Sequence, residues 1–153
     1  MEEMIFQAFV EKFKFLIIIF YFIGLIILIL HIIGLAKLFI KAGKPGWAAI
    51  IPFYNSYVLV EIAGLNWWYF LLANLGIFFA FSRFSYFTTL IFLVSATANF
   101  FIFYNLGKKF KQDSISYGFL GAFFTVIMVM VLGFSKSLVY DKNVSVNPNG
   151  PIK

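Results

Sequence analysis

Cysteine is absent from this 153-residue chain, and histidine occurs once, at His31. Without thiols there is no disulfide and no thiolate metal centre. One imidazole with no carboxylates beside it makes no metal site. Charge is sparse as well. Asp, Glu, Lys and Arg make up 12% of the residues and only six are acidic, where a soluble domain carries about 25% charged residues. No carboxylate pair lies within an apolar run, and there is neither a glycine-rich phosphate loop nor an H-E-x-x-H pattern. The chain is therefore expected to have no catalytic residues, no cofactor and no enzymatic activity.

What the sequence has in excess is hydrocarbon. Hydrophobic residues make up 63% and aromatic residues 22%, against about 45–50% apolar in an average soluble domain. Such a composition cannot cover a water-facing surface with polar groups, and lipid is the solvent that removes the difficulty. The net charge of +6 comes from lysines set beside apolar runs. That placement points to membrane topology and contact with the lipid bilayer rather than to nucleic acid. The expected localisation is the inner (cytoplasmic) membrane, as a multi-pass protein.

The pattern predicts an all-α integral membrane protein with four transmembrane helices, plus a short interfacial or re-entrant helix between the first and second. The spans fall at about 15–38, 67–81, 84–106 and 115–134, measured against the roughly 20 apolar residues that cross a bilayer. The apolar run from Phe15 to Ile33 exceeds the about 7–15 residues of a signal-peptide core and no A-x-A site follows, so the first span is expected to stay uncleaved. Segment 47–63 is apolar but interrupted by Pro52, Asn55, Ser56 and Glu61. Proline removes a helix donor, and a carboxylate at mid-bilayer costs on the order of a few kcal/mol. The segment reads as non-crossing, with a longer tilted second helix from Pro52 as the alternative. Trp67, Trp68 and Tyr69 open the second span as an aromatic belt. Ser82-Arg83 is read as a tight hairpin. Residues 1–140 form a single transmembrane domain and 141–153 a disordered tail. Four crossings put the loops holding Lys41, Lys44, Lys108, Lys109 and Lys111 on one side, assigned to the cytoplasm, and both termini outside.

Lys41-Ala42-Gly43-Lys44-Pro45-Gly46-Trp47 and Ile51-Pro52-Phe53-Tyr54-Asn55-Ser56-Tyr57 form a K-A-G-x-P-G-W…I-P-x-Y-N-x-Y signature. In this the chain resembles small bacterial polytopic membrane proteins of unknown function. The likeness continues through Ile62-Ala63-Gly64, Trp67-Trp68 and Gly107-Lys108-Lys109-Phe110 to Gly133-Phe134 and Tyr140. It implies a compact membrane domain and no known reaction. Some members are labelled signal peptidases. A serine–lysine peptidase holds its nucleophile and base in a folded domain outside the membrane, and no segment here is long enough to be one. Ala80-Phe81-Ser82-Arg83-Phe84 departs from the resemblance, standing where a proline and small polar residues are expected.

Nine residues are the candidates for function or for specific packing. His31 is an ionisable group inside the first span, one heptad after Gly24; it either relays protons or makes an interhelical hydrogen bond. Asn99 shares a stripe of the third span with Ser85, Thr88 and Ser95, which either lines a polar path or ties helices together. Glu61 is placed to pair with Lys41 or Lys44, to touch a ligand, or to sit at headgroup level. Lys44, Pro45, Trp47, Pro52, Tyr54 and Asn55 make up the most distinctive stretch, in which Pro and Gly shape the backbone and the aromatic rings anchor it. Small residues at Ala73, Gly76 and Ala80, and at Gly118, Gly121, Ala122 and Thr125, suit close helix packing. Two functions are carried forward. The first is a non-enzymatic structural or assembly component of a membrane complex, bound to itself or to a larger membrane protein. The alternative is a small oligomeric transporter or channel.

Overall fold

The computed structural model describes residues 2–79 and 85–144. The expected hairpin at Ser82-Arg83 and residues 145–153 of the expected tail lie outside the described residues. Among the described residues the chain is entirely helical, without a strand: α1 (Glu2–Lys41), a 3-10 turn (Gly46–Ala49), α2 (Tyr54–Ala63), α3 (Trp68–Phe79), α4 (Ser85–Lys109), α5 (Ser114–Phe123) and α6 (Thr125–Phe134). Two stretches are helical, long and apolar enough to cross a membrane, Val10–Lys41 and Phe87–Lys109. Nothing interrupts α1, because its 40 residues are dominated by Ile, Leu and Phe and contain no proline.

Three of the helices stop in the same way. Beyond α1, Gly43 has φ 76°, its N–H bonds to Ile40 and the next N–H, of Lys44, reaches Phe39. Gly64 after α2 and Lys111 after α4 repeat the pattern, with φ 74° and 54°. These pairs of 5→2 and 6→1 bonds satisfy carbonyls that the end of a helix leaves open.

All three stops lie at one end of the bundle, called here the lysine end. Lys44 at the end of α1 pairs with Glu61 at the end of α2. The Tyr140 hydroxyl donates to the carbonyl of Ile62, 2.8 Å away, and its ring packs edge-on against Phe110 at 5.5 Å. The N–H of Asp141 donates to the Lys109 carbonyl at 2.8 Å. Lys41 Nζ donates to the carbonyls of Leu132 and Ser135, each at 2.6 Å, which brings the end of α6 to the same place. So α1, α2, α4 and α6 run towards the lysine end. α3 and α5 run away from it, since Gly64–Asn66 lie against Asn105 and Lys108, and Ser114 lies against Gly107.

The last two helices differ from the sequence expectation. In place of one helix over 115–134 there are two of ten residues each, broken at Phe124, whose φ of −126° and ψ of 45° leave the helical region. At 1.5 Å per residue each is about 15 Å long, half of the roughly 30 Å of hydrocarbon in a bilayer. α5 leaves the lysine end along α4, and α6 returns to it along α1. The parallel course of α1 and α6 is visible residue by residue: His31 beside Thr125, Gly34 beside Met130, Lys37 over the Phe134 ring, Lys41 beside Ser135. A β-carbon on Gly133 would overlap the Gly34 backbone, so the contact exists only because Gly133 has no side chain.

Segment 47–63 is likewise no rod. The 3-10 turn after Pro45 and the ten-residue α2 are each too short to cross a bilayer. The core lies at the lysine end, where Leu38, Phe39, Val58, Ile62, Phe103, Leu106, Val129 and Leu132 are buried. The other half of α1 is different. Every residue from Glu11 to Leu30 is exposed, and the rest of the chain packs against α1 only from His31 onward. The start of the expected tail is also held, since Lys109 Nζ donates to the Val144 carbonyl at 3.2 Å and Lys111 pairs with Asp141 at 3.0 Å.

Candidate functional site

The first turns of α2 and of α6 border one cavity beside His31. Pro52, Phe53 and Tyr54 form the first tip. Phe53 has φ 64° and ψ −46°, and the N–H of Tyr54 donates to the Pro52 carbonyl at 2.7 Å, a three-residue γ-turn. This conformation is rare and strained for a residue with a side chain. Phe124 and Thr125 form the second tip. His31, Asn55, Ser56 and Thr125, with Leu35, Leu59 and Val129, line a cavity of about 70 Å³ between them.

Polar side chains gather here because helix breaks leave backbone groups open. Thr125 Oγ1 donates to the Gly121 carbonyl at 2.6 Å. Asn55 Nδ2 reaches the Ala49 carbonyl at 3.4 Å, tying α2 to the 3-10 turn, and Ser56 Oγ donates to Asn55 Oδ1 at 3.2 Å. His31 Nδ1 is buried and has no partner among the described residues. The cavity is large enough for water, each molecule occupying about 30 Å³ in the liquid, and too small for an organic substrate.

The remaining sequence candidates are dispersed around this point. Pro45 precedes the 3-10 turn with φ −67°. Trp47 stacks on Tyr54 at 5.8 Å, and Tyr54 on Tyr57 at 6.2 Å, forming an exposed aromatic ladder. Lys44 and Glu61 pair with each other, 17 residues apart, and close the signature segment into one unit. Asn99 is elsewhere: its amide donates to the Ser95 carbonyl of its own helix at 2.9 Å, while Ser95 Oγ donates to the Leu72 carbonyl of α3 at 3.0 Å. Those two members of the polar stripe tie α4 to itself and to α3, and neither lines the cavity beside His31.

Sequence reasoning missed Ser56 and Thr125 as neighbours of His31 in the cavity wall, and it missed Tyr140. Thr125 stood in a run of small residues and read as packing. Nothing in the sequence joins Tyr140 to Lys109 and Ile62, because chain separations of 31 and 78 residues carry no periodic signal. Among the described residues no group of three or more His, Asp or Glu is placed to hold a metal ion.

The stretch from the 3-10 turn to the strapped C-terminal segment coincides with a known family: residues 47–143 match the family described as Family of unknown function (DUF5684). The chain belongs to this family. The match begins at Trp47 and ends at Asn143, so the family unit takes in α2 to α6 and the segment up to Asn143, and leaves out α1 with the Lys41 and Lys44 side of the lysine end. No curated protein and no solved structure matches the chain.

Proposed function

We propose that the chain is a non-enzymatic, multi-pass protein of the cytoplasmic membrane whose work is assembly, with α1 as the helix that docks a partner. One observation carries the reading. α1 exposes apolar side chains on every side from Phe15 to Leu30 and leaves its own bundle along that length. Sixteen residues at 1.5 Å make about 24 Å of lone apolar helix, outside the family unit that forms the rest of the fold. The partner is a second transmembrane helix, from another copy or from a larger membrane protein.

The proposed topology has α1, α3 and α4 crossing, while 46–63 and 114–134 enter from the lysine end and return. It departs from four crossings because α6 runs parallel to α1, whereas the fourth span of an up-and-down bundle runs antiparallel to the first. It also sharpens the orientation. Lys37, Lys41, Lys44, Lys108, Lys109, Lys111, Lys136 and Lys142 then share one face, out of twelve Lys and Arg in the chain. By the positive-inside rule that face is cytoplasmic.

Cysteine crosslinking in native membranes tests the docking role, since the chain has no thiol of its own. Single cysteines along Ile17–Leu28 are expected to give crosslinks with a helical period of 3.6. Absence of crosslinks at every position, with a monomer that co-purifies with nothing in mild detergent, would sink the proposal. The transporter reading retains one supporting observation, the polar cavity at two helix breaks, where transport sites are often built. Proton and ion flux into vesicles, lost in His31→Leu, would favour it.

A further inference from the structure

A groove of about 350 Å³ opens at the lysine end between the start of α3 and the end of α4. Asn66, Trp68, Tyr69, Tyr104, Asn105 and Lys108 supply its polar and aromatic walls. Asn105 is the telling residue. It is only 5% exposed, and its side chain has no hydrogen-bond partner among the described residues. Its amide is nonetheless not sealed off, because it forms part of the groove wall. An amide that reaches the groove with no protein partner is free to bond a group that enters it.

The other polar groups define the partner's chemistry. The twelve-residue α3 begins at Trp68, at the groove, and the N–H groups of Tyr69 and Phe70 there are held by the carbonyls of Asn66 and Trp67, at 3.1 and 3.0 Å. The positive end of the α3 dipole at the groove favours an anion. Lys108 sits over the Tyr104 ring, 4.4 Å from its centre, which holds the ammonium at the rim. No carboxylate lines the groove. Lys108, the one fixed charge on the groove, and the start of α3 favour a negative group and outweigh the partial charges at the ends of α2 and α4, whose carbonyls are capped. Trp68 and Tyr69 are the ring types that settle at headgroup level.

We infer that this groove binds the phosphate of an anionic phospholipid headgroup, with the Asn105 amide donating to its oxygens and Lys108 neutralising its charge beside the positive end of the α3 dipole. The inference rests on the membrane placement proposed above, with the lysine end at a bilayer surface.

The test uses the full chain in a neutral maltoside detergent, with Trp fluorescence as the readout because Trp68 is in the groove wall. Short-chain phosphatidylglycerol, short-chain phosphatidylcholine and inorganic phosphate are titrated separately. Saturable binding of phosphatidylglycerol is expected, weakened at least tenfold in Asn105→Leu and in Lys108→Gln and unchanged in Lys111→Gln, which alters a lysine outside the groove. Thermal unfolding identifies any variant that fails to fold, and Lys108→Gln at the rim keeps the test decisive if Asn105→Leu does. Equal affinity for phosphatidylcholine, equal affinity for inorganic phosphate, or binding indifferent to both groove variants would each overturn the assignment. Failure here is separable from failure of the membrane reading, which cysteine accessibility reports independently.

Discussion

Gly34 of α1 and Gly133 of α6 touch backbone to backbone, and this contact fixes the direction in which the last helix returns. A methyl group at Gly133 meets peptide atoms of Gly34, which cannot rotate away as a side chain can. Gly133→Ala is therefore expected to lower stability by about 1–3 kcal/mol or more, the range for overfilled cores. Gly24→Ala, at a site with nothing within 4 Å, is expected to be neutral or slightly stabilising, since alanine favours helix. Thermal unfolding in detergent compares the two. Equal effects would mean that the α1–α6 contact is not formed.

Phe53 holds a positive φ at the centre of a γ-turn. Glycine adopts that conformation without the strain, so Phe53→Gly is expected to preserve or raise stability, by up to about 1 kcal/mol. Phe53→Val is expected to lower it, because β-branched side chains tolerate positive φ least. The same unfolding assay reads both, and the opposite order would contradict the turn.

Burial, and then the nearby Glu61 carboxylate, push the Tyr140 hydroxyl up to about 12. The proton is bound more tightly in the folded protein than in the unfolded chain, where tyrosine ionises near 10. This contribution to stability is complete below pH 10 and is lost as the pH rises from 10 towards 12. Tyrosinate absorbance should show a component titrating near pH 12 that Tyr140→Phe removes. Loss of no late component would contradict the Tyr140–Ile62 contact.

The Lys44–Glu61 pair is half exposed, with 33% and 46% of its side chains accessible. Pairs of this kind are worth about 0–1 kcal/mol and weaken with salt. A double-mutant cycle with Lys44→Met and Glu61→Gln should give a coupling below about 1 kcal/mol, smaller at high salt. A larger, salt-independent coupling would mean that the pair is sequestered from water.

Much of this was legible in the sequence, for identifiable reasons. The apolar run of α1 and the basic turns after Lys41 and Lys108 are local signals, and the helices begin and end within a few residues of them. Pro52, Asn55 and Glu61 likewise announced that 47–63 would not form one long rod. Phe124 gave no warning: an apolar residue in an apolar run carries no breaker chemistry, and its distortion comes from α5 following α4 while α6 follows α1. Counting 115–134 as one span then sent Lys136 and Lys142 to the wrong end. The contacts of Ser135, Tyr140 and Asp141 return that segment to the lysine end. Asn105 was passed over because one asparagine in an apolar helix looks the same whether its amide is bonded or free.

In the proposed topology the α5–α6 pair turns back within the membrane, so that the C-terminal segment shares the lysine face. This topology is tested most directly by the sidedness of single cysteines at Gln7, Lys44, Lys109 and Asn143, in a chain that has no cysteine of its own. In intact cells a membrane-impermeant thiol reagent should label Gln7→Cys from outside. Lys44→Cys, Lys109→Cys and Asn143→Cys should react only after permeabilisation. Labelling of Asn143→Cys together with Gln7→Cys, opposite to Lys44→Cys and Lys109→Cys, would contradict the account, because segment 114–134 would then cross the bilayer.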